Sequence, residues 1–339
     1  MKNRIPRLIV EAIVKKTLKS IEHSPERGVR NLVDMALQFS DGRFQKNFFA
    51  SAQTMLQNEN SAYYKLIRNT IMYVDTEKIY TFGINIGYNS CTAGAQRIRE
   101  NEKALGCNIP WTVLIHIDTQ QFEERRQKYE DLIFEGESLG IYTWMFFASD
   151  WPRKTFSLVK NHPDSAFCVF CDTKDITLTF LEEATVLKNL MLVIRYDENF
   201  ADVCNELRAN KMLYSIWYQY GQKDTEIIID GNLFDSVQEL FPIFTVLIPE
   251  NKCPREVRRL IYSTVKQTRL DQSHSTIAWD LQGDNCLVDT IISEDACSVY
   301  FNKDGSLFGW EKAFEGGRYN LFKSSFTDIL LNAYPKTGC

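Results

Sequence analysis

The sequence has no apolar run of the roughly 18 residues that a membrane-spanning helix needs. Near its start, Glu11, Lys15 and Lys16 interrupt the apolar residues, so we expect neither a signal peptide nor a transmembrane segment. Basic residues are not in excess either, because the formal net charge is −5 at pH 7. Proteins that bind nucleic acid through its phosphates need a basic surface. These absences predict a cytoplasmic protein that does not bind nucleic acid.

Familiar catalytic motifs are also missing. The chain contains no Gly-x-Ser-x-Gly, no His-Glu-x-x-His and no complete glycine-rich dinucleotide fingerprint. It has four histidines in all, which leaves little room for a histidine-rich metal site. His23, His162 and His274 lie alone in helix and loop contexts, so we expect them to be ordinary surface or core polar residues.

The nine cysteines lack the dense, even spacing of a secreted disulfide framework, so we expect reduced thiols. The closest pair, Cys168 and Cys171, lies in the strand-like segment 166–172. An odd separation within a strand sends two side chains to opposite faces. We therefore predict no metal site at this pair, and none elsewhere built from cysteine.

The 339 residues, 44% of them hydrophobic, are enough for one large α/β domain with a smaller appendage. Residues 1–106 have apolar residues at helical spacing and form a predicted helical extension. Its first helix, within residues 1–22, is basic. That helix either packs on the domain with a solvated lysine face or lies on a membrane surface. Segment 81–90, which contains Gly83 and Gly87, is predicted to be a connector.

After Pro110 the pattern changes to strands that alternate with helices, which predicts a parallel sheet with right-handed crossovers. Seven such units in roughly 170 residues favour a partial (β/α) barrel of the TIM type over residues 107–285. Residues 286–339 form a predicted tail with a β-hairpin at 297–308 and a last helix at about 324–333. The predicted strands are 112–118, 141–148, 166–172, 191–197, 212–219, 243–249 and 275–280.

Acidic residues recur where these strands end, which is where βα barrels place their active sites. His116 lies two residues before Asp118 and so on the same face of its strand. Converging carboxylates and an imidazole could bind a divalent metal or carry out acid–base chemistry. The alternative is that each aspartate caps the helix that follows it. The catalytic candidates are His116, Asp118, Asp150 and Asp172, and further strand-end aspartates are Asp197 and Asp280.

Three segments resemble a known family, the anaerobe-type radical S-adenosylmethionine (radical SAM) proteins. They are 102–111 (EKALGCNIPW), 136–147 (GESLGIYTWMFF) and 300–308 (YFNKDGSLF), and the resemblance extends over about 104–334. It implies a partial (β/α) barrel that binds S-adenosylmethionine. It also implies a Cys-x₃-Cys-x₂-Cys loop directly after the first strand, whose thiolates hold a [4Fe-4S] cluster.

The chain departs from the family at that loop. Asp118 is followed by only Thr119, Gln120 and Gln121 before a helix, and no cysteine lies between Cys107 and Cys168. Other family features are altered in parallel. Residues 148–152 (ASDWP) occupy the position at which the family has Gly-Gly-Glu-Pro, and Lys174-Asp175 occupies the position of the family's Asn-Gly. Gly309-Trp310 occupies the position at which a cysteine would follow the hairpin. Ser149 and Asp150 are the remaining candidates for contact with the cofactor.

We therefore expect a degenerate radical-SAM-like protein with no cofactor, acting as a ligand-binding or partner-binding accessory or regulatory subunit. Its partner would be an intact radical SAM enzyme or the substrate of that enzyme. Three alternatives stay open: an enzyme with a metal or acid–base site at the acidic strand ends, a radical SAM enzyme with non-standard cluster ligation, and a membrane-surface regulator that uses residues 1–22.

Overall fold

The computed structural model describes residues 7–21, 25–38, 50, 53–293, 295–309 and 314–336. His23, Trp310 and the ends of the basic segment 1–22 lie outside these residues. The chain divides into two compact units, each made of two stretches. The first unit is Met1–Tyr80 with Val193–Gly283, and the second is Thr81–Leu192 with Asp284–Cys339. Both units mix helices with strands, so the α/β class is confirmed.

The structure contains helices and strands that we number in chain order. The helices are α1 (Arg7–Ile21), α2 (Pro25–Gln38), α3 (Tyr63–Tyr73), α4 (Thr76–Ile84), α5 (Ala95–Leu105), α6 (Phe122–Leu139), α7 (Phe156–Asn161), α8 (Leu178–Thr185), α9 (Phe200–Ala209), α10 (Thr225–Ile229), α11 (Asn232–Gln238), α12 (Arg255–Asp271), α13 (Leu281–Ser293) and α14 (Phe326–Ala333). The strands are β1 (Thr112–His116), β2 (Thr143–Phe147), β3 (Ala166–Cys171), β4 (Leu190–Arg195), β5 (Tyr214–Tyr220), β6 (Phe244–Pro249), β7 (Ile277–Asp280), β8 (Val299–Phe301) and β9 (Leu307–Phe308). None of the described helices is long and apolar enough to span a membrane.

The second unit contains a sheet in the order β3-β2-β1-β8-β9, in which only the β8–β9 pair is antiparallel. All six residues of β3 are buried, as expected for a strand covered on both faces. One face of the central strands is completely buried: Ile115, Phe146 and Val169 have no exposed surface. On the other face, the register pairs His116 with Phe147 and Phe147 with Phe170.

The first unit contains the parallel strands β5, β6 and β7, paired in that order. Helix α12 follows β6 and places Ile261 and Val265, four residues apart, in the core. Two short helices, α10 and α11, follow β5, and Gly231 (φ +80°) is the N-cap residue of α11. The predicted strands and their βα alternation are otherwise found within a few residues.

The connector predicted at 81–90 is wrong, because this segment is helical. It comprises the end of α4 and a π-helix, Asn85–Gly94. The buried amide of Asn85 donates to the carbonyl oxygens of Pro163 and Ser165, each at 2.9 Å, and thereby stabilises the π-helix. A Cβ atom on Gly140 would lie 2.6 Å from the carbonyl oxygen of Gly94, so the two backbones pack directly on each other. These partners lie far away along the chain.

Candidate functional site

The turn after β1, residues 117–121, is built around the carboxylate of Asp118. Its Oδ1 atom accepts hydrogen bonds from the N–H groups of Gln120 at 3.1 Å and Gln121 at 3.3 Å. Helix α6 begins at the next residue, Phe122. An aspartate that accepts from the N–H groups two and three residues further on stabilises a local turn. Asp118 therefore closes the turn before α6, whose N-cap residue, Gln121, accepts no side-chain cap hydrogen bond.

Arg125, in the first turn of helix α6, links the loop after β1 to the β8–β9 hairpin. Its Nη1 atom lies 3.4 Å from Oδ2 of Asp118 and donates to the carbonyl oxygen of Lys303 at 2.7 Å. The guanidinium also lies 4.4 Å from the centroid of the Phe322 ring, a cation–π contact. The Arg125 side chain thus lies beside the turn and contacts the second carboxylate oxygen of Asp118.

His116, the last residue of β1, packs among aromatic rings. It stacks on Phe147 at 4.9 Å and meets Tyr300 edge-on at 5.0 Å between ring centroids. Burial lowers the pKa of His116 to about 4, and the nearby positive charge of Lys303 lowers it further in the same direction. The imidazole is therefore neutral at pH 7 and acts here as a packing ring.

His116 belongs to a row of five rings that crosses the sheet at its strand ends. The stack continues from Phe147 to Phe170 at 4.3 Å and from Tyr300 to Phe308 at 5.5 Å. We call Phe170, Phe147, His116, Tyr300 and Phe308 the aromatic row. Phe170 is buried and the other four are partly exposed. Sequence reasoning missed the row, although Phe147 and Phe170 lie at the ends of adjacent strands and the strand register would have aligned them.

The loop after β2 holds both candidates for cofactor contact. The hydroxyl of Thr119 donates to the carbonyl oxygens of Ser149 at 3.3 Å and Asp150 at 3.4 Å. The exposed carboxylate of Asp150 forms a 2.7 Å ion pair with Nζ of Lys174, and this hydrogen bond lowers the pKa of the carboxyl. Asp150 (φ +62°) and Trp151 (φ +125°) both have left-handed backbone, which is strained for residues other than glycine.

Asp172, the third candidate carboxylate, precedes a short 3₁₀ turn, Thr173–Asp175. Its N–H donates to Oδ2 of Asp175 at 3.2 Å, and burial raises the pKa of the Asp175 carboxyl. Asp118, Asp150 and Asp172 thus each serve their own turn or ion pair. In the part of the chain that the structure describes, no group of three or more histidine, cysteine or acidic side chains is arranged to hold a metal ion.

The two remaining strand-end aspartates lie in the first unit and also contact helix starts. Oδ1 of Asp197 accepts from the N–H of Asn199, at 2.9 Å, just before α9. Oδ1 of Asp280 accepts from the N–H of Gly283 at 2.6 Å, in the first turn of α13. Its Oδ2 accepts from the hydroxyl of buried Tyr220 at 3.1 Å. The helix-capping interpretation therefore describes Asp280, whereas Asp197 closes a turn before α9.

The residues after β1 do not fit a [4Fe-4S] cluster, which needs thiolates at that position. The turn contains none, and both carboxylate oxygens of Asp118 already have partners. Cys168 and Cys171 lie within β3, where burial raises the pKa of Cys168 to about 12 and that of Cys171 well above its usual range. Burial also raises the pKa of the Cys107 and Cys297 thiols. Neutral thiols inside a strand or core are poor iron ligands.

No family model matches the chain, and no curated protein does. Among solved structures, the chain is similar to the radical SAM enzyme SuiB of Streptococcus suis bound to S-adenosylmethionine. That comparison has a TM-score of 0.52 and 11% identity, and it covers 73% of this chain and 70% of SuiB. SuiB with its precursor peptide SuiA gives a TM-score of 0.49 at 11% identity, covering 73% and 71%. SuiB in a further crystal structure gives 0.47 at 11%, covering 97% and 82%. The first of these shows a radical-SAM-like fold.

Proposed function

We propose that this chain is a radical-SAM-like protein without cluster chemistry that binds a ligand or a protein partner as an accessory or regulatory subunit. The observation that carries the proposal is the turn after β1. Where a radical SAM protein presents thiolates, this chain has Asp118 closing a short turn before α6 and Arg125 bonded to the hairpin. We propose an intact radical SAM enzyme, or the substrate of one, as the partner, and the cytoplasm as the place of action.

The loops around this turn are tied to one another, which supports a binding role. Nζ of Lys154 donates to the carbonyl oxygen of Thr119 at 2.7 Å, while the hydroxyl of Thr119 contacts the loop after β2. Lys174 then links the loops after β2 and β3 through Asp150. A surface that is already ordered loses little conformational entropy when it binds. The partly exposed rings of the aromatic row offer apolar contacts beside it.

S-adenosylmethionine is bound by SuiB, and Ser149 and Asp150 are where this chain could still contact it. In this chain the carboxylate of Asp150 is exposed and already paired with Lys174. A cofactor amino group would have to displace that lysine ammonium. We therefore propose that the chain binds S-adenosylmethionine weakly at most and does not cleave it.

An enzyme with a metal or acid–base site at the acidic strand ends remains the second candidate. It would need His116, Asp118, Asp150 and Asp172 to act together. Asp118 and Asp150 already have hydrogen-bond or ion-pair partners of their own, and His116 is packed between rings. A site of this kind would therefore require these residues to exchange their present partners, and we rank it below the accessory role.

The direct test is anaerobic reconstitution of the purified chain with iron and sulfide, followed by S-adenosylmethionine and a reductant. We expect no [4Fe-4S] absorption or paramagnetic signal and no 5′-deoxyadenosine. A cluster signal together with reductive cleavage of S-adenosylmethionine would overturn the proposal. A Cys168→Ser/Cys171→Ser variant is the matched control, since a cluster that disappears in this variant would identify β3 as a non-standard source of ligands.

Calorimetric titration with S-adenosylmethionine tests the ligand side of the same proposal. We expect little heat at millimolar concentration for the natural chain. In the Lys174→Ala variant the carboxylate of Asp150 loses its ion pair, so any binding should strengthen. Asp150→Asn should remove that gain. Tight binding that is indifferent to both substitutions would place the ligand elsewhere.

A further inference from the structure

Helix α6 presents an acidic solvent face. Of its 18 residues, six are acidic and three are basic. Glu130 and Glu137 contact His162. Glu135 accepts hydrogen bonds from the N–H groups of Phe326 and Thr327. The carboxylates of these three glutamates therefore have partners within the second unit. The acidic residues left on the outside are Glu123, Glu124 and Asp131.

Those three carboxylates form no ion pair with any cation in the described residues, although Asp131 accepts from the amide of Gln127. Phe134 lies on the same side of α6, three residues after Asp131, and its side chain is 72% exposed. We call Glu124, Asp131 and Phe134 the acidic face. Lys128 is the single exposed cation of this helix.

Helix α12 presents the opposite charge. Its 17 residues include five basic and two acidic ones. Arg258 donates to Gln282 and Arg269 to the carbonyl oxygen of Ala278, so both are used within the first unit. Arg259 and Lys266 are exposed, seven residues apart and on one side of the helix. Neither forms an ion pair with a described carboxylate; Lys266 lies over the Tyr262 ring at 4.7 Å.

Two exposed leucines lie beside these cations on α12. Leu260 is 48% and Leu270 is 62% exposed. We call Arg259, Lys266, Leu260 and Leu270 the basic face. A helix that leaves cations and large apolar side chains on its solvent side is suited to an interface with a surface of opposite charge.

The two faces match in spacing. If α6 and α12 of two molecules lie parallel with Glu124 beside Arg259, then Asp131 falls beside Lys266, and Phe134 falls beside Arg269, one residue before Leu270. The helices have nearly equal lengths, about 26 Å at a rise of roughly 1.5 Å per residue. Pairing α6 with α6, or α12 with α12, would instead bring like charges together. Complementary charge at two positions therefore favours the mixed pairing.

We propose that copies of this chain associate through α6 of one molecule and α12 of another. The occupant of each face is a second copy of the chain. A membrane or a nucleic acid would meet a protein with a net charge of −5, which opposes binding to anionic surfaces. This inference is independent of the accessory role, because it uses no residue of the aromatic row or of the strand-end turns.

Sedimentation velocity over a range of concentrations at low salt tests the proposal with two charge-reversal variants of the full chain. One is Glu124→Lys/Asp131→Lys, and the other is Arg259→Glu/Lys266→Glu. We expect the natural chain to self-associate and each variant alone to weaken association by about tenfold or more. An equimolar mixture of the two variants should associate again, because the reversed α6 then meets the reversed α12. Misfolding of either variant could not produce that recovery.

Lys103→Glu/Lys160→Glu is the matched control, since it changes the net charge as Arg259→Glu/Lys266→Glu does but at exposed lysines on other helices. We expect this control to associate like the natural chain. A natural chain that stays monomeric at every concentration overturns the proposal. So does association that neither reversal weakens, or binding to phosphatidylserine vesicles that requires Arg259 and Lys266 while the chain is monomeric in solution.

Discussion

Asp118 and Arg125, seven residues apart, form a contact of 3.4 Å between Oδ2 and Nη1 at the end of β1. The same Nη1 atom donates to the carbonyl oxygen of Lys303. Together these contacts hold the turn that joins β1 to α6. The consequence is a strand end that is closed by a carboxylate and a guanidinium, with no thiol nearby in sequence.

The turn at Asp118 gives the first prediction. Asp118→Ala should lower the free energy of unfolding by about 1 kcal/mol, since two N–H groups of the turn before α6 lose their acceptor. Asp118→Asn keeps an acceptor oxygen and should retain most of the stability. Urea unfolding followed by circular dichroism measures both. Equal losses in the two variants would show that the charge, and not these hydrogen bonds, matters.

The buried ring of His116 gives a prediction about acid stability. Its pKa of about 4 in the folded protein is below the usual 6.5, so the unfolded chain binds the proton more tightly. The stabilisation linked to His116 is complete above pH 6.5, and about 3 kcal/mol of it is lost as the pH falls toward 4. His116→Phe keeps a ring in the row and should flatten this part of the profile. An imidazole NMR titration with a midpoint near 6.5 would contradict the prediction.

His162 should show the opposite pH dependence. Its Nε2 lies 2.9 Å from Glu130 and its Nδ1 lies 3.1 Å from Glu137. Burial lowers the pKa of His162, but the two carboxylates raise it by more, so the net shift is upward. The stabilisation is therefore complete below pH 6.5 and is lost as the pH rises through the higher pKa of the folded state.

His162→Gln should remove that dependence while it keeps a hydrogen-bonding side chain. The measurement is the free energy of unfolding of both proteins between pH 5.5 and about 8.5, the range in which histidine titrates. The difference between them should shrink as the pH rises. A difference that is constant or grows over this range would show that His162 is not held as the cation.

The close approach of α6 to β2 gives a packing prediction. A Cβ atom on Gly136 would lie 2.5 Å from Cη2 of Trp144, whose side chain is completely buried. Gly136→Ala should therefore destabilise the protein by about 1–3 kcal/mol. Gly87→Ala is the control, because a Cβ atom there has nothing within 4 Å. In the π-helix it should be neutral or stabilise by about 0.5–1 kcal/mol. Thermal unfolding that ranks the two variants in the reverse order would be inconsistent with this packing.

The amino-acid sequence by itself determined the βα alternation and the thiol-free turn. Strand β1 was predicted at 112–118 and is found at Thr112–His116, because a short buried run is recognisable from its own residues. The same holds for β3, predicted at 166–172 and found at Ala166–Cys171. The length of the turn between Asp118 and α6, three residues without a cysteine, could likewise be read from the sequence.

Only the tertiary structure decided which groups meet. Asp150 forms an ion pair with Lys174, 24 residues away along the chain. Asn85 of the π-helix donates to a carbonyl oxygen about 80 residues away, so the segment predicted as a connector is helical. The aromatic row joins rings from five strands through their register. Hydrophobic periodicity describes one element at a time, whereas a hydrogen bond or a ring stack depends on how separate elements align. The sequence therefore specified the strand and its turn, and packing between elements specified the partners of their side chains.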